Sequence, residues 1–182
     1  MHKRNSYVRV YLKNMLLTAL AAVLLLFLAY FSVHSGKNAI LDRQRLCMEQ
    51  WNTIHELSAA KLHLLEKLQE PNMPVLPEEI INGVPNTGPL ARFLENCDSL
   101  ALQLTGNEHR PADYQILKEY INHSHEMKAA VLRYNDLVRE SNHFMKEFPN
   151  NFYSSLFSIP SLPDFQENDN YLSNIDIYLS DY

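Results

Sequence analysis

The stretch YNDLVRESNHFMKEFPNN, Tyr134 to Asn151, carries two amides seven residues apart and then stops at a proline. Seven residues are close to two full helical turns, so Asn135 and Asn142 share one face, beside Tyr134 and Val138, themselves one turn apart. Such a pair at the edge of an apolar stripe is expected to hydrogen-bond across to a neighbouring helix and fix its register, at some cost in stability. Pro149 forces Phe148 away from helical geometry and ends the helix. Asn150 or Asn151 then stands where it can cap a following turn. By residue type alone these are packing and punctuation residues.

Upstream, the helical spacing extends back to about Ala112 through Val131, Met127, Ile121 and Leu117, with Pro111 suited to the first turn, where its missing N–H costs nothing. A break at Thr105–Arg110 separates it from LARFLENCDSLALQL, Leu90–Leu104, whose Phe93, Leu94, Cys97, Leu100 and Leu104 repeat at helical spacing. The proline-rich PNMPVLPEEIINGVPNTGP, Pro71–Pro89, turns the chain, with one helical turn conceivable at Pro77–Glu79. Before it, Lys37–Glu70 has no proline, and Ile40, Cys47, Trp51, Ile54, Ser58, Leu62, Leu65 and Leu68 mark a long amphipathic helix. Downstream of Pro149 the chain is aromatic and acidic; Phe152–Phe157 suits a short closing helix, and the last residues suit an extended tail.

The segment NMLLTALAAVLLLFLAYFSV, Asn14–Val33, contains no charge. Twenty helical residues reach about 30 Å, the thickness of a bilayer's hydrocarbon core. Lys3, Arg4, Arg9 and Lys13 precede it with no acid, so the positive-inside rule leaves that end cytoplasmic and the body outside, with Tyr30 and Phe31 at the far interface. A cleaved signal peptide ending at Val33-His34-Ser35 is the competing reading. Signal cores are shorter, usually about 7–15 residues, which favours a retained anchor. The anchor helix runs into the amphipathic one either without a break or with a flexible point at Gly36.

Removing the four N-terminal charges leaves 12 of the 16 basic residues against all 21 acids, so the body carries a net charge near −9. With no basic cluster, that balance argues against a nucleic-acid partner. The eight histidines include HSHE, His123–Glu126, but His123 and His125 are two apart and point to different sides of a helix, unlike the three- or four-residue spacing of helical metal pairs. Cys47 and Cys97 stand at different heights in an up-and-down arrangement: Cys97 falls level with about residue 60, about 20 Å above Cys47. They are expected to be free and buried. No catalytic triad order, phosphate loop or paired catalytic carboxylates can be made out, and no cofactor or metal is expected.

The pattern of Tyr134, Asn135, Val138, Asn142, Phe148, Pro149 and Asn151 resembles the signature of the LemA family. The following SSLFSIPSLPDFQE, with Phe157 and Phe165, is similar to that family's A-x-x-F-G-F stretch and later aromatic-Phe-Glu element. Trp51 and Ile54 with AKLHLLEKL, Ala60–Leu68, look like a worn copy of its first-helix motif R-R-x-D-L-I-P-N-L. The likeness is strongest over residues 112–167. There are departures: Ala60 and Lys61 replace the arginine pair, His63 the aspartate, Glu66 the proline, Lys67 the asparagine, Ser124 and Val131 a glutamate and an arginine, and Ser158 and Ile159 the Gly-Phe pair.

The resemblance implies a membrane anchor followed by an extracytoplasmic helical bundle, without established catalytic residues. The expected fold is therefore all-α. Residues 1–13 form a cytoplasmic tail, 14–33 a transmembrane helix, 37–167 an antiparallel bundle of three long helices and a short C-terminal one, and 168–182 an acidic tail. The expected role is a non-enzymatic scaffold or interaction module in the inner membrane of a bacterial envelope, its body periplasmic, bound to an envelope protein or to itself. The alternatives are a transmembrane sensor or signalling adaptor and, behind it, a hydrolase using His63, His123 or His143.

Overall fold

The computed structural model describes residues 2–68, 74–75, 85–105 and 111–165. Among them all regular structure is helical: α1 (His2–Lys67), α2 (Thr87–Thr105), α3 (Pro111–Lys146) and α4 (Asn150–Leu156). The turn considered at Pro77–Glu79 and the tail beyond residue 165 lie outside the described residues.

The first helix is a single element of 66 residues, about 100 Å long at 1.5 Å per residue, with no interruption at Gly36. Its N-terminal part is long and apolar enough to cross a membrane, and its side chains from Tyr11 to Ser32 are all exposed, which is where a hydrocarbon solvent would sit. Gly36 is thus no hinge. It lies under the ring of Tyr153 of α4, where a Cβ would overlap Cδ2 and Cε2 of that ring. Glycine in a helix interior costs about 0.5–1 kcal/mol relative to alanine, and here it lets α4 approach the α1 backbone.

Above that point α1 shares one core with α2 and α3. Cys47, Trp51, Ile54, Leu64 and Leu65 meet Leu90, Phe93, Leu94, Cys97 and Ala101 of α2 and Leu117, Tyr120, Met127, Val131, Tyr134 and Val138 of α3. Contacts between α1 and α3 run in opposite directions along the two chains: Gln50 Nε2 donates to the Ala130 carbonyl at 3.3 Å, and Arg43 pairs with Glu140 at 2.9 Å. Nearer the apolar part of α1, a smaller cluster joins Ile40 to Met145 and Tyr153, with Val33, Phe144, Phe157 and Ile159 packed on it. Both cysteines are free and buried. Burial pushes the Cys97 thiol up to about 12, and raises that of Cys47 as well.

Two boundaries differ from the sequence reading. The second helix starts at Thr87 rather than Leu90, taking Gly88 and Pro89 into its first turns, where a proline lacks no needed bond. Neither Asn150 nor Asn151 is the N-cap of α4; Pro149 occupies that position and offers no side-chain cap. Asn150 Nδ2 donates instead to the Phe144 carbonyl at 3.1 Å, serving the end of α3, while Asn151 Oδ1 accepts from the Phe152 N–H at 2.7 Å.

The end of α4 closes on Ser158, whose φ of 50° lies in the left-handed region. The Ser158 N–H donates to the Ser155 carbonyl at 3.2 Å and the Ile159 N–H to the Ser154 carbonyl at 2.9 Å, the paired bonds of a Schellman end that ordinarily carries glycine.

Gly36→Ala is expected to force α4 off α1. The overlap with Tyr153 costs about 1–3 kcal/mol, more than the roughly 1 kcal/mol of added helix propensity returns. Hydrogen exchange should accelerate at residues 150–159; unchanged exchange there would show that the close approach carries no stability.

Candidate functional site

Asn135 and Asn142 do share a face, but the partner is not a helix. It is the extended segment after α4. Asn135 Nδ2 donates to the Phe165 carbonyl at 3.2 Å and its Oδ1 accepts the Phe165 N–H at 2.8 Å. Asn142 repeats the arrangement on Leu162, at 2.8 Å and 3.1 Å. Each side-chain amide thus satisfies both backbone groups of one residue, as a neighbouring strand would. Between them the Tyr134 hydroxyl donates to the Pro163 carbonyl at 2.9 Å.

The spacing follows from elementary geometry. Seven helical residues rise about 10.5 Å, and three extended residues reach about 10 Å, so amides at 135 and 142 meet backbone groups at 165 and 162. The two run antiparallel, and the pairing delivers Phe165 into the core. Its ring centroid lies 5.8 Å from that of Trp51 on α1 and 5.7 Å, edge on, from that of Tyr134 on α3; Trp51 and Tyr134 are 5.6 Å apart. Burial raises the Tyr134 phenol well above its usual value, so it remains a donor. At the other end Gln44 Nε2 donates to the Pro160 carbonyl at 2.7 Å, and Thr87 Oγ1 at the start of α2 to the Asp164 carbonyl at 3.2 Å. Residues 160–165 therefore touch all three long helices.

Of the expected motif residues, Trp51, Tyr134, Asn135, Asn142 and Phe165 converge here. Ile54 and Val138 are fully buried in the same core. Phe157 belongs to the lower cluster, where Lys37 Nζ lies 4.9 Å from its ring centroid. Phe148, Pro149 and Asn151 are exposed and stand apart from this group.

Of a second constellation the sequence analysis named only Lys61, as a replacement in the arginine pair of the family's motif. Lys61, wholly inaccessible, donates to Asp98 Oδ1 at 2.6 Å, and the Tyr120 hydroxyl donates to the same oxygen at 2.6 Å. The ammonium also sits 4.6 Å from the centroid of the Tyr120 ring. One residue from each of the three long helices thus meets at a buried charge pair. Asp98 Oδ2 is buried as well, and accepts no bond among the described residues. Helical spacing hid these residues: Lys61 falls on the apolar stripe of α1, where a charge is read as a solvated exception, and Asp98 follows the core residue Cys97. The level match was legible, since Cys97 was expected beside residue 60.

The three candidate histidines, His63, His123 and His143, each sit beside an acid of their own helix, Glu66, Glu126 and Glu147, at 3.4, 3.0 and 3.3 Å. His123 and His143, twenty residues apart on α3, are separated by about 30 Å. Among the described residues no three His, Cys, Asp or Glu side chains are placed to hold a metal ion. A groove of about 360 Å³ lies between Asp42, Arg43 and Leu46 of α1 and Leu137, Glu140 and Ser141 of α3, its rim carrying the Arg43–Glu140 pair.

Asn135→Ala leaves a buried N–H and C=O without partners and should cost about 2–4 kcal/mol; at half-buried Asn142 water can substitute, and alanine should cost about 1 kcal/mol. Limited proteolysis within 159–165 should follow the same order, and equal sensitivity in both variants would refute the ranking. Lys61→Met strands Asp98 and should cost about 3–5 kcal/mol, most of it recovered in Lys61→Met/Asp98→Asn. A denaturation series in which the double variant is as unstable as the single one would mean that the pair contributes more than mutual compensation.

Comparison of the chain with protein-family models, with curated proteins and with solved structures finds no match, so the site is interpreted from its own geometry.

Proposed function

We propose that this protein is a single-pass, membrane-anchored and divergent LemA-like protein, whose antiparallel helical bundle stands outside the cytoplasm as a non-enzymatic scaffold or interaction module of a bacterial envelope. The observation that carries the reading is the continuity of α1. One helix provides both the uncharged, wholly exposed stretch fit for lipid and, farther along, a full face of the core. The basic residues before Asn14 orient it with the N-terminus inside the cell and the body in the periplasm.

The family likeness draws support from the way its residues come together. Tyr134, Asn135 and Asn142 hold the segment Leu162–Phe165, the Phe165 ring packs on Tyr134 and Trp51, and Ser158 takes a left-handed conformation where the family's pattern has glycine. The two polar constellations described above serve the body's own architecture: the two asparagines hold backbone, and Lys61 is enclosed with Asp98 and Tyr120. That favours a surface that binds over a cleft that reacts. A protein partner or a second copy would meet the acidic outside of the body.

A second reading is favoured by the same unbroken helix. With no break between His2 and Lys67, a tilt or shift of the body is carried mechanically through the membrane to the short basic tail, as a sensor or adaptor requires.

Crosslinking in native membranes with mass spectrometry tests the proposal, comparing the wild type with a variant in which the exposed acids Asp136 and Glu140 are both changed to lysine. The scaffold reading expects one dominant partner in the wild type, lost in the variant while the helical melting transition is kept. Self-links alone would reduce it to a homo-oligomer, and an absence of reproducible links would remove it. Scrambling the order of residues 2–13 at constant charge, which keeps the signal that orients the helix, abolishes function under the sensor reading and spares it under the scaffold reading.

A further inference from the structure

From the position of α4 we infer a second contact with the membrane: the stripe Phe152 and Leu156, with Phe148 just before the helix, rests in the interface of the outer leaflet, so the chain is held by a transmembrane helix and, beside it, by a short helix lying on the lipid. The inference rests on the membrane-spanning reading of α1 and adds to it a lipid-binding face on a different element.

The height of α4 is set by its contacts. The Tyr153 hydroxyl is 3.0 Å from Ser32 Oγ, its ring covers Gly36, and Lys37 Nζ lies over Phe157. All three α1 residues fall at or just past the end of the uncharged Asn14–Val33 segment, within about 6 Å of its last residue at 1.5 Å per residue. The short helix is therefore fastened where hydrocarbon gives way to headgroups, the depth at which aromatic residues collect.

Its outward side has the chemistry of that layer. Tyr153 faces α1, whereas Phe152 and Leu156, one turn apart on α4, remain 56% and 54% exposed, and Phe148, just before Pro149, remains 86% exposed. From Phe148 to Pro163 the chain carries no charged side chain, only aromatic, aliphatic, Asn, Ser and Pro residues. Two large apolar side chains on the seven residues of α4, with Phe148 just before it, form a face that water does not favour. Lipid already surrounds α1 at this level in the spanning reading, so the occupant of the stripe is the bilayer itself.

Tryptophan quenching in phosphatidylcholine vesicles whose acyl chains are brominated near the headgroup tests this on the full chain. Trp51, the single native tryptophan, lies about 27 Å beyond Val33 along α1 and should be unquenched. Phe27→Trp, within the spanning segment, and Phe152→Trp, on the stripe, should each add emission that the brominated lipid removes, and Leu156→Trp should repeat the Phe152 result from a second exposed position. Quenching at 27 with none at 152 or 156 overturns the inference and leaves the membrane-spanning reading intact. If the tryptophans at 152 and 156 also resist aqueous iodide, protein covers the stripe instead of lipid. Absence of quenching at 27 overturns both readings.

Discussion

Two turns of helix and three residues of extended chain have nearly the same length, about 10.5 Å against about 10 Å, and the packing around Phe165 depends on that match. It allows Asn135 and Asn142 to grip Phe165 and Leu162 simultaneously, each by both backbone groups. A shift of one residue in the extended segment would bring the wrong side chains inward and leave a buried amide unpaired. The gripped segment then supplies what the helices lack: a third ring between Trp51 of α1 and Tyr134 of α3. The final stretch of the described chain is in this sense part of the core, and the helices of the core are the template that shapes it.

At the far end of the body a different device holds the helices in register. The Lys61–Asp98 pair with Tyr120 is expensive to bury, and an apolar trio of similar volume would stabilise the fold at least as well. Its directional bonds allow only one vertical alignment of α1, α2 and α3, which apolar side chains sliding on one another would not impose. The amide clamp and the charge pair thus bracket the core, one fixing the closing segment and the other fixing helix against helix. Between them lie mostly side chains with no polar atoms to satisfy, which is why Cys47 and Cys97 sit there as buried thiols.

Toward the apolar part of α1 the packing thins to a smaller cluster. Gly36 gives up helix propensity so that Tyr153 can lie against the backbone of α1, and Ser158 accepts a left-handed conformation so that the chain can turn from α4 into the clamped segment. Both are local concessions with a tertiary return. They join the short helix to the element that carries the apolar span.

Much of this organisation follows from the sequence alone. Uncharged length implies a helix long enough to cross a membrane, the spacing of Ile40, Cys47, Trp51 and Ile54 by seven, four and three implies a buried face, and Pro149 implies the end of α3, because each depends only on local geometry or on solvent preference. The sequence also places Asn135 and Asn142 on one face, but the identity of their partner was decided by tertiary structure. An amide bonds a helix or an extended backbone equally well, and only the folded chain brings residues 162–165 within reach. The same holds for Gly36, whose missing side chain reads as flexibility until Tyr153 fills the space, and for Lys61, a solvent residue by type that is buried because Asp98 and Tyr120 arrive from two other helices. Local periodicity determines which elements form; which polar groups meet is set by the long-range packing of those elements, since a hydrogen bond needs both its ends in place.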